Sequence, residues 1–187
     1  AAAATTTEAT TPDVPACPSL ALEPTFALVA DPSLEEISGA AVSVQRPSLL
    51  WVHEDSGNDA VLVALDGDGA PVARWTVPDV ENLDWEDMAA IGEPSPTLYV
   101  ADIGDNRAER EDVTVLRIPE PDPEMGDGLV PAHAQIRLTL PQPADAEALL
   151  VDPRTGDIVV VTKQVTGRAD VLVAPGAARS HGIPAPL

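Results

Sequence analysis

Three stretches of the chain repeat one pattern of short apolar segments and turns. Each begins with acidic residues and a short apolar segment, then passes through a Pro- or Gly-containing turn to a very apolar segment, a polar loop and a third apolar segment. The copies are LEEISGAAVSVQRPSLLWVHEDSGNDAVLVAL from residue 34, LDWEDMAAIGEPSPTLYVADIGDN from 83, and ADAEALLVDPRTGDIVVVTKQVTGRADVLVA from 144. Aligning them assigns Glu36, Glu86 and Glu147 to equivalent places. A chain that repeats itself in this way is built from successive copies of one small unit.

The first two copies continue into a fourth apolar segment, PVARWTV and AQIRLTL. Four short strands repeated about every 50 residues are typical of the blades of a β-propeller. A β-sandwich also uses short strands at this spacing, but it has no reason to repeat them unit by unit. The sequence therefore predicts an all-β fold, a partial β-propeller of four-stranded antiparallel blades with two complete blades and most of a third.

This blade count is too small for a closed ring, since propellers contain about four to eight blades. We therefore expect a truncated propeller over residues 21–187, with open sheet edges that pair with missing blades or with another chain. Twenty Pro and twelve Gly cut the sequence into short pieces, and no window keeps a helical apolar rhythm.

The first 20 residues are rich in Ala, Thr and Pro and lack the apolar mass needed to fold. They are typical of a linker that remains after a secretory signal is removed, so the sequence predicts a secreted, extracellular protein. The single cysteine, Cys17, lies in this linker and either pairs beyond the present chain or stays free. No run of 18 apolar residues is present, which argues against membrane insertion.

The net charge of −21 argues against nucleic acid and anionic membranes as partners, because both repel an acidic surface. The same charge suits cation binding, although a generally acidic proteome also explains it. In a four-stranded antiparallel unit, the loop after the second strand and the connection to the next unit share one end. About half of the acidic residues fall in these loops. The sequence therefore predicts an acidic rim.

Acidic residues on that rim are the candidate metal ligands. Strand one of a blade lines the central channel, so acids at its beginning and acids that follow strand two are expected to approach one another. Carboxylates without nearby His or Cys select hard cations, calcium before magnesium. The predicted metal ligands are Asp84, Glu86, Asp102, Asp105, Asp145 and Glu147.

Simpler interpretations exist for several of these motifs. The DGDG segment at 66–69 is typical of a tight hairpin turn rather than an EF-hand loop. Asp105 and Asn106 in DIGDN are also suited to bonding their own backbone in a turn. Glu86 and Glu147 are suited to a solvated channel mouth. Trp85 is expected to pack between blades.

Catalytic patterns are sparse. His53, His133 and His181 fall in different parts of the repeat without a nucleophile motif. Basic residues on the acidic rim are possible contacts for a phosphate bridged through a metal, or they neutralise neighbouring acids. These candidate phosphate contacts are Arg107, Arg110 and Lys163. Whether the protein is an enzyme stays open at this level.

Four motifs occur in a fixed order along the chain: DWEDMA, LYVADIGDNRAER, VLRIPEP and DAEALLVDPRTGDIVVVTK. They resemble a family of secreted bacterial β-propellers, common in actinobacteria, which is distantly similar to phytase-like propellers labelled for esterase-like activity. The resemblance covers about residues 34 to 173 and implies calcium held by the six carboxylates named above. It also implies hydrolysis of a phosphoester. We therefore expect a calcium-binding module that serves for binding or as a scaffold, with a metal-dependent phosphoesterase acting on a phosphorylated small molecule as the alternative.

Overall fold

The computed structural model describes residues 27–164 and 167–176 together with the short strand Ala185–Pro186. The predicted linker over residues 1–20, Cys17 and His181 lie outside the described residues. In the described part of the chain, no helix has the length and apolarity to cross a membrane.

The described residues form three mainly antiparallel sheets, none of which closes on itself. Within each sheet, the strands longer than two residues follow chain order, and each pairs antiparallel with the next such strand. The strands are β1 (Ile37–Val42), β2 (Leu50–Glu54), β3 (Val61–Leu65), β4 (Pro71–Thr76), β5 (Trp85–Ile91), β6 (Thr97–Asp102), β7 (Asp112–Pro119), β8 (Gly128–Leu129), β9 (Ala134–Thr139), β10 (Ala146–Val151), β11 (Ile158–Thr162), β12 (Val171–Ala174) and β13 (Ala185–Pro186). A short 3₁₀ turn, Pro123–Met125, follows β7.

The first sheet contains β1 to β4, the second contains β5, β6, β7 and β9, and the third contains β10 to β12. The predictions of an all-β fold and of repeated strands are confirmed, including the fourth strand in the first two copies. The segment at 66–69 forms a hairpin turn between β3 and β4, in which Asp66 accepts the backbone N–H of Gly69 at 3.0 Å. Gly69 has a φ of 81°, a conformation that disfavours residues with a Cβ.

Two very short strands were not predicted. β8 pairs in parallel with β4, and β13 pairs in parallel with β9. Each follows the third strand of one sheet and adds to the outer edge of the preceding sheet. Two residues are too few to show a period of two, so the sequence carried no signal for either strand.

Apolar residues from facing sheets form two cores. Trp51 of the first sheet, and Trp85 and Leu98 of the second, belong to a fully buried cluster between these sheets. Tyr99 and Ile158 belong to the corresponding cluster between the second and third sheets. Alternate residues of a strand point to opposite faces, so the very apolar second strands supply both cores. The predicted packing of Trp85 between units agrees with its place in the first cluster.

A buried carboxylate joins the first two sheets. Glu120 follows β7 and is only 7% exposed. Its carboxylate accepts hydrogen bonds from Ser43 Oγ at 2.5 Å, from Trp51 Nε1 at 2.9 Å and from the backbone N–H of Gln45 at 3.2 Å. Three donors of the first sheet and its β1–β2 turn therefore share one acceptor supplied by the second sheet.

Candidate metal centre

The first strands of the three sheets lie side by side, with β5 in contact with both β1 and β10. Each of these strands carries a β-bulge at the same position, its second residue. The bulged residues are Ser38, Glu86 and Glu147. A bulge adds an unpaired residue and redirects its side chain. The repeat therefore gives three equivalent, neighbouring positions at one end of the sheets.

This register corrects the predicted equivalence of Glu36 with Glu86 and Glu147. Ser38 occupies the glutamate position in the first sheet, and Glu36 matches Asp84 and Asp145 instead. The backbone carbonyls of these three acids each accept a hydrogen bond from just beyond the second strand, at 2.9 Å from Asp55, 3.2 Å from Ile103 and 2.8 Å from Lys163. The predicted equivalence was wrong because it matched acidic residues of the three copies to one another, and such a match cannot locate a β-bulge. Glu36 is exposed.

Five carboxylates gather where these strands begin. Asp55, Asp84 and Glu86 form one triad, and Glu86, Asp145 and Glu147 form a second, with candidate ligand oxygens of each triad within 4.8 Å of one another. Glu86 belongs to both. Asp55 comes from the first sheet, Asp84 and Glu86 from the second, and the other two from the third. We call these five residues the carboxylate cluster.

The cluster is electrostatically unfavourable without a counterion. Burial raises the pKa of Glu86 to about 7, and the charges of Glu147, Asp55, Asp84 and Asp145 add to this effect. Burial also raises the pKa of Asp84, against the opposing effect of a hydrogen bond with Ser56, and the charges of Asp55 and Asp145 add to the increase while that of Arg110 opposes it. A bound cation would relieve this repulsion, because it favours the ionised form of every neighbouring carboxylate.

A glycine provides the space in which two of these carboxylates lie. A Cβ on Gly104 would stand 2.4 Å from Glu86 Oε1 and 2.5 Å from Asp84 Oδ2. Ser38 Oγ donates a hydrogen bond to the backbone oxygen of Glu86 at 2.9 Å, which ties the bulge of β5 to that of β1. The carboxylates of Asp84 and Glu86 can therefore lie where they do only because residue 104, in the loop after β6, is a glycine.

Lys163 is the cation nearest the third-sheet part of the cluster. Its Nζ lies 2.7 Å from Glu147 Oε1 and 3.8 Å from Asp145 Oδ2. The hydrogen bond to Glu147 raises the pKa of Lys163. The lysine side chain is 54% exposed, so an incoming metal ion can displace it at little cost.

Asp102 and Asp105, two of the predicted ligands, belong to neither triad. Asp102 is buried and pairs with Arg110 Nη1 at 2.9 Å, yet burial raises its pKa despite this partner. Asp105 accepts the backbone N–H of Arg110 at 2.6 Å, and its own N–H donates to Asp145 Oδ1 at 2.8 Å. These two acids hold the loop after β6, and the backbone N–H of Asp105 orients Asp145.

Sequence reasoning missed Asp55, Ser38 and Gly104. Asp55 lies in the first of the acidic loops, but no acid occupies its place in the other two copies, where Ile103 and Lys163 stand. The run of acids and small residues in HEDSGN was the available signal. Nothing in the sequence distinguished Gly104 from other loop glycines, because its role depends on two side chains of a different strand.

A cavity of about 420 Å³ adjoins the cluster. It shares Asp84 with the cluster, includes Gly104, and adds polar side chains of the loop after β6, above all Arg107. Arg110 also lines it but is held by Asp102 and by the backbone oxygen of Gly104 at 2.8 Å. In the described part of the chain, Arg107 makes no ion pair. This cavity therefore combines a cation with carboxylates.

Neither of the described histidines belongs to a triad. His53 is fully buried and packs edge-on against Trp85, with ring centroids 5.3 Å apart. Burial lowers its pKa, so it is neutral near pH 7. The cluster therefore offers carboxylate oxygens alone, a donor set that fits calcium or another hard cation and fits soft metals poorly.

No family model matches the chain, and no curated protein matches it. The resemblance to secreted β-propellers therefore stays a prediction made from the sequence motifs.

Proposed function

We propose that this chain is a segment of a secreted β-propeller that binds a hard cation, calcium first, and acts as a binding or scaffold module. The observation that carries the proposal is the pair of triads that share Glu86, drawn from all three sheets. A cation held there would tie the sheets together. The proposed role is therefore structural support of a binding rim.

The propeller arrangement is part of this proposal. Three features support it: the same order of strands in each unit, the adjacent first strands, and the bulge repeated in all three copies. Blades around a common axis have these relations, because their first strands line one channel. The Ala/Thr/Pro-rich beginning of the sequence supports the secreted location.

Thermal unfolding with and without calcium tests the cation proposal. At calcium about 100-fold above its Kd, binding to the folded state adds about 2.7 kcal/mol. For a chain of this size we expect the melting temperature to rise by about 5 to 10 °C relative to EDTA. Magnesium should raise it less, because magnesium demands a stricter geometry and keeps its water.

Gly104→Ala and Gly67→Ala provide the matched control. The first places a methyl group among the carboxylates and should remove the calcium response. The second adds a methyl group with no atom within 4 Å and should keep it. An unchanged wild-type melting temperature in calcium, or equal responses from both variants, would contradict the proposed site.

The alternative is a metal-dependent phosphoesterase, favoured by the cavity in which Arg107 lies beside Asp84. An arginine next to a bound cation suits a phosphate bridged between them. Hydrolysis of p-nitrophenyl phosphate in calcium, lost in Arg107→Ala but kept in Arg154→Ala on a distant turn, would support this activity. A folded, calcium-responsive and inactive protein would leave only the binding role.

A further inference from the structure

A cavity of about 520 Å³ lies between the second and third sheets, at the end of the strands away from the carboxylate cluster. Ile91 and Val151, the last residues of β5 and β10, line it, whereas the cluster gathers where these two strands begin. Its volume falls within the range of about 300 to 1,000 Å³ that is typical of small-molecule sites. The cavity is therefore separate from the proposed metal centre.

The repeat relates this cavity to the filled interface between the first two sheets. Tyr99 pairs with Ala89, the third residue after the bulge of β5, as Trp51 pairs with Ala41, the third residue after the bulge of β1. The two aromatic side chains thus occupy equivalent places. Trp51 is fully buried and donates its indole N–H to the carboxylate of Glu120 at 2.9 Å. An acceptor from the following sheet therefore completes the first interface.

The third sheet supplies no carboxylate at the place of Glu120. The sequence around the end of β7 is VLRIPEP and that around the end of β12 is VLVAPGA, so Gly176 stands where Glu120 stands in the preceding copy. Strand pairing gives the same match, because Ile118 and Ala174, two residues earlier, pair with equivalent residues of β6 and β11. Gly176 lines the cavity. The space that a carboxylate fills in the first interface is therefore open in the second.

The hydroxyl of Tyr99 lacks the partner that Trp51 has. Tyr99 is 7% exposed and lines the cavity, and among the described residues its hydroxyl makes no hydrogen bond. The enclosed side-chain atoms without a partner in this part of the chain belong to His53, Trp75 and Trp85. The Tyr99 hydroxyl is therefore not enclosed by protein, and it is placed to donate a hydrogen bond into the cavity.

Arg117 adds a positive charge beside Tyr99. It pairs directly with Tyr99 on β6 and with Ala134 on β9, and such cross-strand neighbours place their side chains on one face of a sheet. All three line the cavity. Among the described residues Arg117 makes no ion pair, although Arg137 of the neighbouring strand pairs with Asp112. A guanidinium and a phenol side by side provide donors for the oxygens of an anion.

The remaining lining favours one negative charge on an apolar body. Arg154 also lines the cavity but pairs with Asp152 at 3.3 Å, and Glu93 adds a negative charge to the wall. Among the described lining residues, Arg117 is then the cation without an acidic partner, which suits a monoanion better than a phosphate dianion. The apolar residues at the ends of β5 and β10 provide a surface for the uncharged part of a ligand.

We propose that this cavity binds a small organic carboxylate with an apolar body, held by Tyr99 and Arg117 in the place that Glu120 takes between the first two sheets. The ligand carboxylate accepts hydrogen bonds from the phenol and the guanidinium, as the Glu120 carboxylate accepts one from Trp51. Its apolar body lies against the ends of β5 and β10. The second interface is thus completed by a ligand where the first is completed by a side chain.

Isothermal titration of the complete chain with simple monocarboxylates tests the proposal. The probes are the straight-chain acids from butyrate to octanoate and phenylacetate. We expect the better-fitting members to bind with a Kd of about 1 mM or tighter. Their primary amides have the same shape without the charge and should bind at least about 10-fold more weakly. Absence of binding throughout the series, or equal affinities for acids and amides, would overturn the proposal.

Tyr99→Phe and Arg117→Gln test the two donors. Each should weaken carboxylate binding by about 10-fold or more, because each removes a hydrogen bond to a charged group. Arg137→Gln is the matched control, since it replaces an exposed arginine on the neighbouring strand that does not line the cavity. It should bind the probes like the wild type. Affinities that are equal in all four proteins would show that the carboxylate does not bind at this place.

Gly176→Glu and Gly67→Glu form a second pair of variants. The first restores the carboxylate of the preceding interface, so it should abolish probe binding and raise the melting temperature. The second adds the same charge in the β3–β4 turn, where a Cβ meets no atom within 4 Å, and should keep the binding. Undiminished binding in a folded Gly176→Glu protein would contradict the proposed site. Tyr99→Phe and Arg117→Gln decide the question if Gly176→Glu does not fold.

Discussion

Replacing Glu86 by Gln is expected to stabilise the metal-free protein at pH 8 and to remove its response to calcium. Glu86 has a pKa of about 7 in the folded protein and 4.5 as the ordinary value, so ionising it above pH 7 works against folding. Each pKa unit corresponds to about 1.4 kcal/mol. After allowing for solvent screening of this partly buried group, the variant should gain about 2 kcal/mol at pH 8.

The pH dependence has a definite sign. Between pH 4.5 and about 7 the folded protein binds more protons at Glu86 than the unfolded chain does, so stability falls as pH rises through this window. Below pH 4.5 both states are protonated at this residue, and the gain from Glu86→Gln should vanish. Urea unfolding in EDTA from pH 4.5 to 8 measures the difference between variant and wild type.

Glu36→Gln is the control for this experiment. Glu36 is an exposed glutamate at the beginning of the first copy and belongs to neither triad. Its replacement should leave both the pH profile and the calcium response as in the wild type. Parallel profiles for wild type and Glu86→Gln would show that Glu86 does not sit among repelling carboxylates.

Replacing Glu120 by Ala is expected to destabilise the protein strongly. The change removes the acceptor of Ser43, Trp51 and Gln45 and leaves the buried indole N–H of Trp51 without a partner. Buried donors left unsatisfied cost about 1 to 3 kcal/mol each. We expect a loss of about 3 kcal/mol and a fall in melting temperature of about 6 to 12 °C.

Glu124→Ala is the control, because it removes a different glutamate that contacts the same β1–β2 turn. Glu124 also reaches the β1–β2 turn, pairing with Arg46 at 2.7 Å, but its side chain is 68% exposed. Exposed ion pairs contribute little, so its removal should hardly change the melting temperature. Equal effects of the two substitutions would show that burial of Glu120 does not matter.

Much of the fold could be predicted from the sequence because period-two apolar segments and turn residues are local signals. The segments LLWV, TLYVA and DIVVVT each supply a strand that is paired on both sides. The bulges were not predictable in the same way. They shift the register by one residue at the point where the functional side chains lie, and only the pairing of two strands reveals them.

The sequence placed four of the five carboxylates of the cluster at one end of the strands and missed the fifth, Asp55. Asp84, Glu86, Asp145 and Glu147 come together as the alternation of loops indicates. Asp102 could not be distinguished from a ligand by sequence, since its engagement depends on Arg110, eight residues away across the loop. Asp55 joins the carboxylate cluster only because the first sheet packs against the second, and the sequence does not show that packing.

The parallel strands β8 and β13 have a consequence for how the molecule comes apart. β8 follows the third strand of the second sheet and pairs with β4 of the first, and β13 follows the third strand of the third sheet and pairs with β9 of the second. Detaching a later sheet therefore also breaks hydrogen bonds of the sheet before it. Neighbouring sheets are thus linked by hydrogen bonds, and the unfolding of one sheet should be coupled to the unfolding of the next. Amide protons of β4 and β9 would then exchange with solvent together with those of the following sheet, because the sheets unfold cooperatively.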